Sequence, residues 1–505
     1  MIKLIYRIES DYMSKKRMLI VTSVTLSVVT ISLGIVKLYQ TYALSNYIGT
    51  VTDTGIDVYI NDDSYASIPA NGSSNVYYML TNTNPGTVKY GVAYQTTSGV
   101  TVKVYDTSED PATGTIEEND KKYIKLHLEN KNSTNKTIEL STVLGYENGG
   151  DLVVPSGVTL VTDTYTPPPT AAEYITKLYT TASKTTVTNN SITYNTAPSV
   201  SLMNDRLGGT TTDLDGGNIR YYGANPNNYI YFNCSDYSNQ TSSTCETWRI
   251  IGVFDGKLKL IRGSQIGTYS WDNKDTSTGA ESNFGKNDWT TARLMKLLNP
   301  SDYYTTDSND NNLGQGLYYN SASGKCYSGK NNATVDCNFT STGIKNDITR
   351  NMIAETTYNL GGWNSNTVYP NLMYEKERGT TVYTGRPTTP WTGKIALAYT
   401  SDYGYAADLN QCKDKTLYDY NNSTCTSNNW MKAIITNNGR NSGWLLTPYC
   451  STSSNVWYVY PVGNVYFNYT VYSAFGAVPV LSLSSELGIE SGGDGSSSNP
   501  YKLSA

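Results

Sequence analysis

WLLTPYCSTSSNVWYVYPVGNVYFNYTVYSAFGAVPVLSLSS, residues 444–485, is the stretch on which the reading of this chain turns. It opens on Trp444 as an apolar anchor and passes through two alternating segments, 456–460 and 465–469. It closes on an apolar run, 478–483, that predicts a buried strand. Between the alternating segments stands Gly463-Asn464, a pair suited to the two-residue turn of a β-hairpin. Strand side chains alternate between faces, so the spacing predicts a hairpin with its polar and aromatic residues pointing outward. Trp457, Tyr458, Tyr460, Asn464, Tyr466, Asn468, Tyr469 and Tyr472 are therefore the candidate ligand-binding residues.

The rest of the composition agrees with a β-rich outer surface. Charged residues make up only 16% of the 505, against about 25% in ordinary globular chains. Tyr (45) far outnumbers Phe (6), and the net charge is −5. No basic run occurs beyond the N-terminus, which argues against a nucleic-acid partner. The length allows two or three domains with a sizeable core.

The uncharged run 18–36 follows Lys15-Lys16-Arg17 and precedes Lys37. A bilayer core is spanned by about 20 apolar residues, and a basic flank stays inside. The run thus predicts a membrane partner: a single-pass anchor with the N-terminus inside and the remaining chain exported. Thr41-Tyr42-Ala43 offers a competing reading, a signal segment cleaved after Ala43. Residues 1–44 are read as this tail and anchor or signal segment.

Residues 45–161 read as an all-β domain. Val100, Val102 and Val104 alternate with Thr101, Lys103 and Tyr105, and Ile124, Leu126 and Leu128 with Lys125, His127 and Glu129. Turn signals at Asn84-Pro85-Gly86, Ser98-Gly99 and Asn148-Gly149-Gly150 punctuate the strands. In pattern the domain resembles the immunoglobulin-like sandwiches of Gram-positive surface proteins. His127, the one histidine of the chain, falls on the face with Lys125 and Glu129 and is expected to be exposed. Residues 162–170, TDTYTPPPT, form a Pro-rich linker expected to act as a semi-rigid spacer. Directly after it Ala171, Ile175, Leu178 and Tyr179 recur at helical spacing.

Residues 171–505 hold all seven cysteines. Cys234/Cys245, Cys326/Cys337 and Cys412/Cys425 pair off as sequence neighbours, each bracketing a polar loop; an exported chain permits three local disulfides. Cys450 is left over as an unpaired thiol. No C-x-x-C spacing occurs and the histidine lies in the other domain, so neither a metal nor a cofactor is expected. WRIIGVF (248–254) and 258–261 predict paired strands across Asp255-Gly256; Asp288 predicts the cap of a helix over 289–298; a second helix is expected over 344–360 and strands over 394–399 and 501–503.

Taken together, YIYF (229–232), WRIIGVFDGKLKLIR (248–262), NDWTTARLMKLLN (287–299), TGKIALAYTSDYGYA (392–406) and the 444–485 stretch resemble a family of uncharacterised Gram-positive surface proteins. Its C-terminal domain is similar to the C-type-lectin-like fold of formylglycine-generating enzymes and of the variable proteins of diversity-generating retroelements. The resemblance implies a mainly β protein with an α+β lectin-like domain, and says more about fold than activity. The family's closing block carries an Arg before the proline of P-V-L; Val478 stands there in this chain.

Three readings follow. In the first the chain is a surface-displayed adhesion protein that recognises an extracellular protein or glycan through the Tyr/Asn-rich hairpin, since Tyr supplies contact area at low rotamer cost. Its sharper form makes 456–475 a diversified region, because the residues there are reachable from asparagine codons by changing adenines; AT-rich coding gives the same bias. The second is a structural envelope subunit. The third is a cysteine-dependent enzyme of the formylglycine-generating type, with Cys450 as thiol and Glu355, Glu375, Glu377 or Asp402 for acid/base work. In that reading Glu375-Lys376-Glu377-Arg378 is more simply a solvated charge run, and no catalytic residue is assigned. Calcium-dependent sugar binding lacks its usual triplets, Glu-Pro-Asn, Gln-Pro-Asp and Trp-Asn-Asp.

Overall fold

The computed structural model describes residues 46–50, 57–61, 65–82, 86–145, 152–305, 314–326, 335–383, 386–387, 390–413 and 415–504. The expected membrane run 18–36 and the cleavage position after Ala43 lie outside them. Among the described residues no helix is long and apolar enough to cross a membrane. The protein is mainly β and divides into two compact units, Met1–Pro167 and Pro168–Ala505.

In the first unit two sheets enclose one core. Asn46–Thr50, Asp57–Asn61, Gly72–Asn82, Lys121–Asn130, Val100–Tyr105 and Thr164–Tyr165 form one sheet in that order. Val158–Leu160, Val88–Gln95, Lys136–Gly145 and Tyr65–Ile68 form the other, with Thr113–Ile116 paired to Val88–Gln95. The period-2 pattern of the long strands explains the core, since Val76, Tyr78, Leu80, Ile124, Leu126, Leu128, Val92, Ile138 and Leu140 all point into it.

The Pro-rich segment is not uniform. Thr164 and Tyr165 add a parallel strand beside Val104 and Tyr105, and this overturns the expected exposure of His127. The imidazole does share a face with Lys125 and Glu129, but Tyr165 stacks on it at 3.6 Å and 7° and Tyr105 meets it edge-on at 6.1 Å. Nδ1 lies 2.7 Å from Asn75 Oδ1 and Nε2 lies 3.5 Å from Glu129 Oε1. Burial pushes the His127 pKa below its ordinary 6.5; Glu129 pulls it up, and Lys103 pushes it further down. The neutral ring is favoured in the fold, so stability present above 6.5 is lost as pH falls through the lower native value. Because the chain has one histidine, NMR titration of its ring protons in an untagged protein reads this directly. A midpoint below 6.5 is expected, and His127→Gln should flatten the acid loss of stability. A midpoint at or above 6.5 would contradict the buried stack.

The second unit opens with the helix Ala171–Thr181. Thr170 Oγ1 accepts from Glu173 N, and Glu173 Oε2 accepts from Thr170 N, a reciprocal cap that leaves Ile175 and Tyr179 facing the core. A nine-stranded sheet follows, running from Thr185–Asn189 through Glu246–Phe254 and Lys257–Arg262 to Val480–Ser482 and Ile395–Ala396. Phe254 pairs with Lys257 across Asp255 and Gly256, whose φ values of 48° and 70° suit the tight turn expected there. A five-stranded sheet carries Gly267–Ser270, Ala474–Ala477, Gly443–Pro448, Val456–Val459 and Val465–Tyr466 in that order.

Several elements are shorter than the sequence suggests. The helix expected over 289–298 is a 3-10 turn, Trp289–Thr291, and a helix, Arg293–Leu298, separated at Ala292. Tertiary acceptors explain the break, since Arg293 N donates to Asp272 Oδ1 and Leu294 N to Trp271 O. The helix expected over 344–360 spans only Asp347–Met352; Thr356–Tyr358 instead pairs with Trp391–Gly393 as a strand. In KIALAY only Ile395–Ala396 is strand, and Tyr399 already caps the helix Thr400–Tyr405. At the C-terminus Tyr501 forms an isolated parallel bridge with Ile230, and the strand proper is Leu503–Ser504, paired with Gly488–Ile489.

Cys234–Cys245, Cys326–Cys337 and Cys412–Cys425 form disulfides across separations of 11, 11 and 13 residues.

Candidate functional site

The hairpin in 456–466 exists, but its turn differs from the expected one. Tyr458 pairs with Tyr466 and Val459 with Val465. Tyr460 N donates to Asn464 O, and Gly463 N to Tyr460 O. The loop is therefore the three residues 461–463, with Gly463 at φ 109°. Proline suits the first turn position and glycine the left-handed third, which is why Pro461 and Gly463 set the geometry rather than Gly463-Asn464.

Burial corrects the candidate residues further. Trp457, Tyr458 and Asn464 are 0%, 1% and 1% exposed, so they are core and not contact surface. The alternation did separate two faces, but both are covered. Val456 and Tyr458 pack in one core with Trp444 and Leu481; Trp457, Val459 and Val465 pack in another with Met431, Ile435 and Leu445. The turn itself is tucked against the segment stapled by Cys412–Cys425: a Cβ on Gly463 would lie 2.6 Å from Thr426 Cγ2, and the Tyr403 hydroxyl donates to Gly463 O.

The flank of the hairpin stays accessible. Tyr460 is 39% and Tyr469 47% exposed; Asn468 is exposed, and Tyr466 and Tyr472 are half-buried. Tyr466 meets Tyr460 edge-on at 5.6 Å and Tyr418 at 4.7 Å. Tyr469 contacts Phe475 at 5.3 Å. Tyr458 lies beneath, touching Tyr466, Tyr469 and Phe475, with its hydroxyl donating to Asn468 Oδ1 at 2.5 Å. Burial, and then the neighbouring tyrosines, raises the Tyr458 phenol above its ordinary pKa. Tyr472 stands apart and pairs with the exposed Phe284 at 5.6 Å. Tyr418 and Phe475 were not candidates, since nothing local in sequence links Tyr418 to the hairpin.

The acid/base candidates are not gathered into one site. Glu355 is exposed and accepts from the Tyr303 hydroxyl; Glu375 is exposed beside Lys376. Glu377, expected to be solvated, is fully buried. It accepts from Ser401 N at 2.9 Å, from Thr447 Oγ1 at 2.8 Å and from the Ser401 hydroxyl. Burial raises its pKa against the pull of these bonds and of Arg378.

Asp402 is buried as well, with Arg220 Nη1 at 2.8 Å and Lys259 Nζ at 2.5 Å; Arg220 Nε lies 2.5 Å from Asp205. Burial pushes the Asp402 carboxyl up, yet Lys259 and Arg220 outweigh it and hold it at about 2. Two carboxylates matched by two cations tie the helix Thr400–Tyr405 and the cap at Asp205 to the strands that carry Arg220 and Lys259.

Cys450 stands outside the three disulfides and is buried. Its N–H donates to Trp363 O, and a Cβ on Gly362 would lie 2.9 Å from its sulfur. Burial pushes the thiol up to about 11, the opposite of the shift that activates a nucleophilic cysteine.

No family model, curated protein or solved structure matches this chain.

Proposed function

We propose that this chain is a cell-surface binding or adhesion protein, and that the aromatic flank of the 456–469 hairpin contacts an extracellular protein or glycan. In this reading 18–36 tethers it to the membrane, or directs its secretion if cleaved after Ala43. The first unit is an immunoglobulin-like spacer, and the second a C-type-lectin-like domain. The observation that carries the proposal is the run of ring contacts Tyr418, Tyr466 and Tyr460, with Tyr469 and Phe475 on the same buried Tyr458. Rings fixed from below offer contact area with little ordering cost on binding. The three disulfides favour an oxidising location.

The test compares the full-length protein with a Tyr460→Ala, Tyr466→Ala, Tyr469→Ala variant on glycan and surface-protein panels. Tyr458 is left in place because it supports the core. Loss of a captured ligand by about tenfold or more is expected, the effect of removing aromatic hot spots, with circular dichroism unchanged. Equal capture by the two proteins, or capture by neither, would remove the hairpin from recognition and favour a structural subunit.

A further inference from the structure

A second place on this unit has the chemistry of a ligand site, and it lies in the strand Glu246–Phe254. The sequence WRIIGVF sets one arginine among apolar residues. Trp248 and Ile250 enter the core, so Arg249, between them, points to the opposite face. There it is 6% exposed and held between two rings, its guanidinium carbon 3.6 Å from the Tyr229 centroid and 4.9 Å from that of Trp430.

What the guanidinium lacks is a counter-charge. Nε donates to Asn228 Oδ1 and Nη2 to Pro226 O at 3.1 Å. Both acceptors are neutral, and Nη1 has no acceptor among the described residues. Nor does any carboxylate among them pair with this arginine. Arg262, on the neighbouring strand, is the contrast: Glu246 takes it with two bonds, at 2.9 and 3.1 Å, and Ser264 Oγ accepts from Nη1 at 2.9 Å. A buried cation without a partner charge is costly, and a site that leaves one uncompensated is suited to receive an anion.

Both arginines line one cavity of about 440 Å³ with Glu246, Thr247, Ser264 and Asn438, floored on one side by Tyr229, Trp430 and Ile434. Its charge is two cations against one carboxylate, a surplus of one. Cavities of about 300–1,000 Å³ hold small ligands, and this one has the size for a single sugar ring or its equivalent. Aromatic walls suit the apolar face of such a ring.

We infer that this cavity binds a small oxyanion on a sugar-sized body, its carboxylate or phosphate meeting Arg249 and its ring lying against Tyr229 and Trp430. The site is separate from the hairpin flank and does not depend on that reading. Thr247, Ser264 and Asn438 supply neutral polar contacts for hydroxyls.

The experiment uses the full-length protein and three probes: glucuronate, glucose as its uncharged counterpart, and glucose 6-phosphate for the phosphate source. Binding is read by ligand-observed NMR saturation transfer and by fluorescence. Saturation transfer to glucuronate or to glucose 6-phosphate is expected, with glucose at least tenfold weaker. Which of the two anions binds tells carboxylate from phosphate. Arg249→Gln should abolish the preference for the anion. Since that change touches a buried side chain, Ala433→Trp, at an exposed wall position of the cavity, is the second variant; it keeps Arg249 and should block the anions by filling the space. Absence of anion binding in the wild type, equal binding of glucose, or full binding by folded Arg249→Gln or Ala433→Trp would each overturn the assignment and leave Arg249 as a clamp on the 226–229 loop.

Discussion

Asp402→Ala should destabilise the second unit by about 3–5 kcal/mol, the cost of breaking a buried ion pair by removing one partner. Arg220 would keep Asp205, but Lys259 would be left in the interior without its carboxylate. The magnitude comes from the charge left behind rather than from the attraction lost. Hence Asp402→Leu combined with Lys259→Met, which removes one charge of each sign, should cost less than Asp402→Ala alone. All eight tryptophans lie in this unit, so their fluorescence during guanidinium unfolding reports on it. A double variant as unstable as the single one would show that packing, not charge, sets the loss. The pH dependence has a defined sign. With its pKa lowered from 3.8 to about 2, Asp402 contributes stability present above 3.8 and lost as pH falls through about 2.

Trp457→Ala should cost a similar amount, about 3–5 kcal/mol, the usual range for emptying a buried aromatic site. The indole is wholly buried, donates to Trp363 O at 3.3 Å and meets Tyr449 and Phe467 edge-on at 5.8 and 5.1 Å. Tyr469→Ala, twelve residues along but 47% exposed, should cost under about 1 kcal/mol. Measured side by side by denaturant midpoint, the two separate scaffold from surface within one hairpin. Comparable losses would mean that the hairpin is not enclosed on both sides.

At this same hairpin local sequence signals and tertiary packing part company. Its strands and the three disulfides were legible, because alternation and short cysteine separations are local signals. Which face meets water was not, because a sheet covered on both sides still alternates. Likewise Glu377 sits in a run of charges that reads as solvated, and only the approach of Ser401 and Thr447 buries it. The Asp205, Arg220, Lys259 and Asp402 junction joins residues far apart along the chain, each ordinary in its own surroundings. Arg249 did leave a trace, a lone cation within an apolar strand, but its missing partner shows only in three dimensions. The exposure expected for His127 failed for a related reason, since the residue that covers it comes from a segment read as a spacer.

The way the second unit closes on itself sets a condition on how it is made. Thr170 bridges to Gly488, Ala171 N donates to Leu487 O, and Gln240 exchanges bonds with both polar groups of Leu503. The first helix and the last strand thus meet at one corner, Gly488–Ile489. During synthesis the opening helix waits for its partner until nearly the whole unit has been translated, and a chain cut a few residues before Leu503 would leave that corner without its clasp. Because the polypeptide enters and leaves the unit at neighbouring points, the unit also has the geometry of a cassette that can be spliced into a surface loop of another protein without prying its host apart.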